Sequence, residues 1–400
     1  MLKSLFIYSR YLMHLVFLGE RNIFLHDIRR YSFRKDRYGT PIRTYDIAKK
    51  ISLEKAIRWL VHAQKMMCDN GIGSYHLVNR WSDSYPETTG YIIPTLLNYG
   101  HTTSNEEIIK SGLSAADWLV GIQKESGGWQ GGRVNENKPE IVFNTAQVIR
   151  GMIAVYRYTG DQAFLDAAIC AGDWLCAIQN QEGYWKTHAL MNEARVYDSY
   201  VDFPLLELYK ASGNKKYYNY ALKNLDWIVD TKQLKNGWFE DCDNTIKHND
   251  KPILHTIAYT IDGLLDCGIF LDEQKYYLAA RKPAEVLMEK FMDNGYLNGR
   301  HDSNWNGSEY TIVTGCAQMS IIWLKLYQQS KIKRFLDAAR LMNYQLIYIQ
   351  NREVRETDDT LGAMPGSYPV WGKYEPFAFP NWATKYFADA LMLEMIITKD

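Results

Sequence analysis

Apolar residues recur at three- and four-residue steps through stretches such as "DAAICAGDWLCAIQ" (166–179) and "NTAQVIRGMIAVYRYTG" (144–160). That spacing gives a helix one apolar face. Between such stretches run segments that keep neither the helical nor the strand period. One of them, "KESGGWQGGRVNENKPEIVF" (124–143), is dense in glycine and polar residues. The alternation itself repeats. "WLVHAQ" (59–64), "WLVGIQ" (118–123), "WLCAIQ" (174–179) and "WIVDTK" (227–232) are close copies. "VLMEKF" (286–291) and "QLIYIQ" (345–350) are worn ones, and successive starts lie 59, 56, 53, 59 and 59 residues apart. Two copies extend into a longer shared phrase, Gln123/Gly127/Trp129 and Gln179/Gly183/Trp185. Each copy ends one helical stretch. A long loop follows, then a second helical stretch such as "YDSYVDFPLLELYKASG" or "LHTIAYTIDGLLDCG", stopped by a short turn such as "TGDQAF" or "SGNKKY".

Six helical hairpins of this kind either stack as an open solenoid with polar end caps or close on themselves. The last stretch, "PNWATKYFADALMLEMII" (380–397), is as apolar as the middle ones. Closure is therefore predicted: an all-α (α/α)6 toroid over residues 51–400, with the second helix of each hairpin inside. Residues 1–50 stand apart as a helical arm. Lys3, Arg10 and His14 interrupt its apolar run, which suits neither a spanning helix nor a secretion signal. The pattern predicts an amphipathic segment lying on the domain's flank or, through residues 1–35, on a membrane surface.

Aligning the inner helices places Tyr91, Gln147, Tyr200, Tyr259, Gln318 and Lys385 or Tyr386 in one row. One turn earlier come Glu87 and His255, with Thr314 and Trp382 alongside. Buried polar groups are costly unless paired, so a row of them predicts a wet cavity or a ligand. All the long loops share one rim, and the inner helices point their N-termini at it. Such a field favours an anionic ligand.

Composition narrows the partners. Forty-six basic residues balance 46 acidic ones, which argues against nucleic acid. The surplus is aromatic, with 29 Tyr and 12 Trp, and amphipathic rings can stack on sugar faces. The six cysteines form no CxxC pair, which favours the cytoplasm, with membrane association through the arm as the variant.

The expected catalytic set is Glu87, Asp202 and Glu309 as carboxylates for glycosidic chemistry, with His255 and Tyr259, one turn apart, as a base and acid pair. Asp241 is a further carboxylate of the loops, and Arg133, Arg195 and Arg300 are loop cations able to hold a carboxylate. The expected sugar-binding set comprises Tyr91, Trp129, Arg133, Asn144, Gln147, Tyr200, Gln318 and Lys385. The proline-pinned final loop adds Tyr368, Trp371 and Trp382 beside Tyr374, Phe377 and Phe379. No cofactor is expected; the metal alternative is a zinc on Cys242 and His255.

The repeated Gln-x3-Gly-x-Trp phrase resembles the repeat of squalene-hopene-type cyclases, and "LHTIAYTIDGLL" resembles the His-bearing helix of protein prenyltransferase β subunits. Both resemblances imply the α/α toroid. The acidic initiation motif of the cyclases and a diphosphate box are absent, "ETDDTL" (356–361) being the nearest. "SDSYPETTGYIIPTLL" (82–97), "HTIAYTIDGLL" and "MPGSYPVWGKYEPFAFPNWATKYFADALM" (364–392) look like toroid proteins of bacterial exopolysaccharide and O-antigen biosynthesis clusters, with carbohydrate-active α/α toroids as the wider comparison. What this implies is an enzyme that works on a surface glycan, uronate-bearing or otherwise anionic, by general acid–base chemistry. Glycosidic cleavage is slightly favoured over epimerisation, with lyase chemistry also open. The alternatives are a terpenoid cyclase or prenyltransferase-like enzyme, and a non-catalytic glycan-binding subunit of an assembly machine.

Overall fold

The computed structural model describes residues 44–308, 310–350 and 359–399, together with Phe6, residues 8–10, Met13, Ile23 and Asp27 of the N-terminal arm. Its helices follow the predicted hairpins: α1 (Tyr45–Lys65) and α2 (Pro86–Thr103), α3 (Glu106–Gly121) and α4 (Val142–Thr159), α5 (Gln162–Ile178) and α6 (Ser199–Ser212). The second half repeats the scheme with α7 (Lys215–Trp227) and α8 (Leu254–Leu271), α9 (Gln274–Asn294) and α10 (Val313–Ser330), α11 (Lys333–Gln350) and α12 (Asn381–Thr398). Each even-numbered helix packs against the next, and α12 returns to α2, so the inner helices close a ring. The odd-numbered helices surround them. The first outer helix begins at Tyr45, inside the stretch assigned to the arm.

Inner helices are apolar nearly all round because neighbours cover every side. Helix α8 is long and apolar enough to cross a membrane, yet most of it is buried as a wall of the ring. The short turns lie at the end opposite the rim, where left-handed residues Ser104, Gly160, Gly213, Asp272 and Lys331 stop the inner helices. Outer helices then restart on side-chain caps from Asn105, Asp161, Asn214 and Glu273.

The repeated phrase has a structural meaning. Gln123 Nε2 donates to the Gly127 carbonyl at 2.7 Å and to the Ala167 carbonyl of α5 at 2.9 Å. Gln179 reaches Tyr220 of α7 (3.0 Å) and Gln233 reaches Ala279 of α9 (2.7 Å) in the same way. Gln64 reaches Ser111 of α3 (3.0 Å), and Gln350 closes the circle on Ser52 of α1 (3.0 Å). Each of these amides bolts one repeat to the following outer helix. The glycine is needed because the loop passes with φ of +96° at Gly127 and +99° at Gly183, close under the carbonyls of Cys170 and Lys223. The tryptophans hold the loop from the other side, Trp129 Nε1 donating to Leu119 O (2.8 Å) and Trp185 Nε1 to Leu175 O (2.9 Å). Thr89, Thr145 and Thr384 of the inner helices accept from the amides of Ile72, Trp129 and Met364. Trp129 is therefore wholly buried scaffold and not the sugar-binding residue expected of it.

Among the described residues, sheet is limited to two-residue strands at the rim: β1 (Tyr75–His76), β2 (Arg80–Trp81), β3 (Thr311–Ile312), β4 (Ser367–Tyr368) and β5 (Ala378–Phe379). β1 pairs antiparallel with β2 and with β5, so the first long loop is stitched to the last. At the opposite end, fully buried Glu394 of α12 accepts from Tyr45 Oη (2.7 Å), Lys49 Nζ (3.1 Å) and Asn343 Nδ2 (2.7 Å). Of the arm, Tyr8 Oη donates to Trp371 O (2.9 Å) and Asp27 accepts from the Val370 amide (2.8 Å), both on the final loop.

Candidate active site

The row predicted across the inner helices is a floor. Tyr259 lies 4.7 Å from Tyr200 and 5.9 Å from Tyr386 between ring centroids, and Tyr91 lies 5.7 Å from Tyr386. Tyr386 Oη donates to Tyr200 Oη at 3.2 Å. From below, the Arg150 guanidinium sits 4.0 Å from the Tyr200 ring centre and Lys385 Nζ sits 3.9 Å from that of Tyr386. Gln147 is wholly buried there and accepts from Arg150 Nε (2.9 Å). The hollow expected at this level is thus filled by rings packed tilted and edge-on. One turn nearer the rim the inner helices again carry polar side chains.

That turn carries Glu87 on α2 and His255 on α8, both at the second helical position. His255 Nδ1 lies 2.7 Å from Gln318 Oε1 of α10. A carbonyl acceptor there fixes the ring proton on Nδ1 and leaves Nε2 with its lone pair. His255 packs on Tyr259 of its own helix (4.4 Å) and on Tyr374 of the final loop (5.8 Å). Burial drives its pKa down to about 4, against a smaller upward pull from Gln318. Glu87 is half-buried and walled by protein, and desolvation pushes its carboxyl up to about 7 despite a hydrogen bond with Tyr85. Its charge also reaches Tyr259, the ring lying against His255. The Tyr259 hydroxyl is itself buried without a hydrogen bond of ordinary geometry.

Around this pair stand Asn144, whose Nδ2 donates to Tyr85 Oη (3.5 Å), and Trp382, edge-on to Tyr85 at 6.3 Å. Trp382 Nε1 donates to Tyr374 Oη at 3.0 Å. Arg133 borders the mouth with its buried Nε unpartnered. Outward from Trp382 and Arg133 a groove of about 340 Å³ runs along the β1–β2 hairpin. Among the inner helices' N-termini none carries a side-chain cap, so their amide ends keep their positive potential toward the rim.

Several expected residues stand elsewhere. Asp202 is buried facing outward, its Oδ2 accepting from Asn224 Nδ2 of α7 (2.8 Å). Tyr368 is buried with Leu346 and Ile349 of α11. Trp371 belongs to the contact with the arm. Lys385 turns its ammonium away from the rim to Asp389 (2.7 Å). Arg300 is held by Asp243 (3.0 Å), Asp241 by Lys232 (2.7 Å), and Arg195 is buried with Asn249 at 3.4 Å. Glu309 lies outside the described residues. Cys242 faces Thr260 (3.4 Å), with its thiol pushed up to about 12 by burial, while His255 faces Gln318. Among the described residues no three His, Cys, Asp or Glu side chains gather as a metal would need. Two site residues escaped the sequence reading, Tyr85 and Phe143. Phe143 occupies the Glu87 position on α4 and touches Tyr259 at 4.9 Å, but an apolar residue in an apolar helix carries no signal of its own.

Residues 87–292 match the family described as the β-L-arabinofuranosidase GH127 catalytic domain. Among curated proteins none matches. The fold is shared with an unsaturated glucuronyl hydrolase specific for heparin, at 15% identity and a TM-score of 0.70 over 89% of this chain and 99% of that one. It is equally shared with the cellobiose 2-epimerase of Bacillus thermoamylovorans, at 14% identity and a TM-score of 0.70 over 89% and 100%. A sugar epimerase from a ruminal bacterium follows at 16% identity and 0.66 over 87% and 99%.

Proposed function

The chain belongs to the family of the β-L-arabinofuranosidase GH127 catalytic domain, a carbohydrate-active family, and on that premise we propose that it hydrolyses a glycosidic bond with Glu87 as general acid and His255 as general base. One observation carries this reading: Glu87 and His255 stand at the same second position of two inner helices above the tyrosine floor, where burial pushes the carboxyl up to about 7 and the imidazole down to about 4. Between those values the carboxyl holds a proton to give and the imidazole has a lone pair to receive one. The Glu87 proton goes to the glycosidic oxygen as its bond to the anomeric carbon breaks. Water attacks that carbon and gives its proton to His255 Nε2, and solvent exchange resets both groups. Gln318 holds the imidazole in the tautomer this needs.

A floor of tightly packed tyrosines under Glu87 and His255 supports attack on a terminal sugar. The uncapped inner-helix N-termini support a sugar bearing a carboxylate, uronate by preference. The resemblance of residues 82–97 and 364–392 to exopolysaccharide-cluster toroids supports a role in making or modifying a bacterial surface polysaccharide. Scattered cysteines without a CxxC pair support the cytoplasm as its place. The same base on the same sugar would serve epimerisation, so the test must identify products. A panel of arabinofuranosyl and uronyl disaccharides, resolved by chromatography, should yield two monosaccharides. Glu87→Gln and His255→Ala should each lower kcat/KM by about 10²–10⁴-fold. Turnover surviving in both variants overturns the assignment.

A further inference from the structure

We propose that the groove along the β1–β2 hairpin seats the leaving-group sugar, and that this sugar is neutral and hydroxyl-rich. The inference rests on Glu87 being the proton donor. The inner end of the groove is formed by Trp382 and Arg133, which also flank Tyr85, the hydrogen-bond partner of Glu87. A bond protonated by Glu87, with its terminal sugar over the tyrosine floor, directs its far side outward along that groove.

The walls are built for a sugar face. Trp81 stacks on Trp59 at 5.9 Å and 26°, and its Nε1 donates to Asp359 Oδ1 at 3.0 Å. The Nε1 of Trp382 is likewise engaged, with Tyr374. Both indoles are locked in place with their N–H groups satisfied internally, so what they offer is apolar ring surface at little entropic cost. Charges of both signs line the groove. Asp83, Glu136 and Glu375 stand against Arg80 and Arg133. A lining of both signs selects no single ionic charge, while hydroxyls, which both donate and accept, can bond to either sign.

The experiment separates this inference from the functional reading. Glycosyl fluorides place only a fluoride beyond the anomeric carbon, so they need the floor, Glu87's surroundings and His255 but not the groove. A wild-type protein that turns over none of the fluorides or disaccharides overturns both readings. With one fluoride turned over, Trp81→Ala should keep its kcat/KM within about twofold, which also reports intact folding. The same variant should lose about 10- to 100-fold on the disaccharide of that glycon with a neutral leaving sugar. Trp81→Phe, which keeps a ring on Trp59, should recover part of that loss. Equal losses on both substrates, or none on the disaccharide, overturn the groove assignment. A leaving-side uronate cleaved as well as the neutral sugar overturns its stated preference.

Discussion

In the proposed mechanism Glu87 and His255 both act from their neutral forms, which burial favours in each case. The acid must keep its proton, so activity is lost as pH rises through about 7; the base must be neutral, so activity is lost as pH falls through about 4. The expected profile of kcat/KM against pH is a bell between those limits, and Gln318→Leu should move its acid limb to lower pH by removing the upward pull on His255. A profile flat from pH 4 to 8 contradicts the assignment. At this scale the sequence was informative wherever a residue's register decided its direction. Glu87 and His255 share one level because they occupy equivalent positions on two inner helices. Asp202 lies two residues past Tyr200, a rotation of about 200°, so it faces the outer layer. Trp129 was misread for a different reason. An indole offers both a stacking face and a donor, and sequence does not say which is in use; here the donor bonds to Leu119 and the face is buried.

The hairpin's organising device is the Gln–Gly–Trp latch. Substituting Gly183 by Ala should destabilise the fold by about 2 kcal/mol or more, because a Cβ would meet the Lys223 carbonyl at 2.5 Å on a backbone with φ of +99°. Gly160→Ala is the control: φ is also positive, at +74°, but nothing lies within 4 Å, and the cost should stay near 1 kcal/mol. Urea unfolding of the two variants checks the contrast, and equal losses would remove the steric account. The helices were legible because the 3.6-residue period survives in every hairpin, and the latch was visible as a phrase before its bonds were known. Its purpose was not visible. The amide of Gln123 finds its second partner 44 residues on, at Ala167, and no local pattern marks that carbonyl.

Closure depends on contacts between the two ends of the ring. Glu394 joins α12 to Tyr45 and Lys49 of α1 and to Asn343 of α11 in a wholly buried cluster. Glu394→Leu takes from the buried Lys49 ammonium its fully buried carboxylate, leaving the half-exposed Asp46 at 3.3 Å, and should cost about 3–5 kcal/mol in chemical denaturation. A loss below 1 kcal/mol would place the seal elsewhere. That the ring closes was readable from the apolar last helix; which side chains seal it was not, since the partners lie some 345 positions apart. The tyrosine floor has one more result. A vessel with a single doorway does not let a strand run through it: whatever enters must back out by the way it came. With the proposed hydrolysis, each turnover would end in full release, and a long polymer would be shortened one unit per encounter, with many chains nibbled at similar rates and none consumed to the end first.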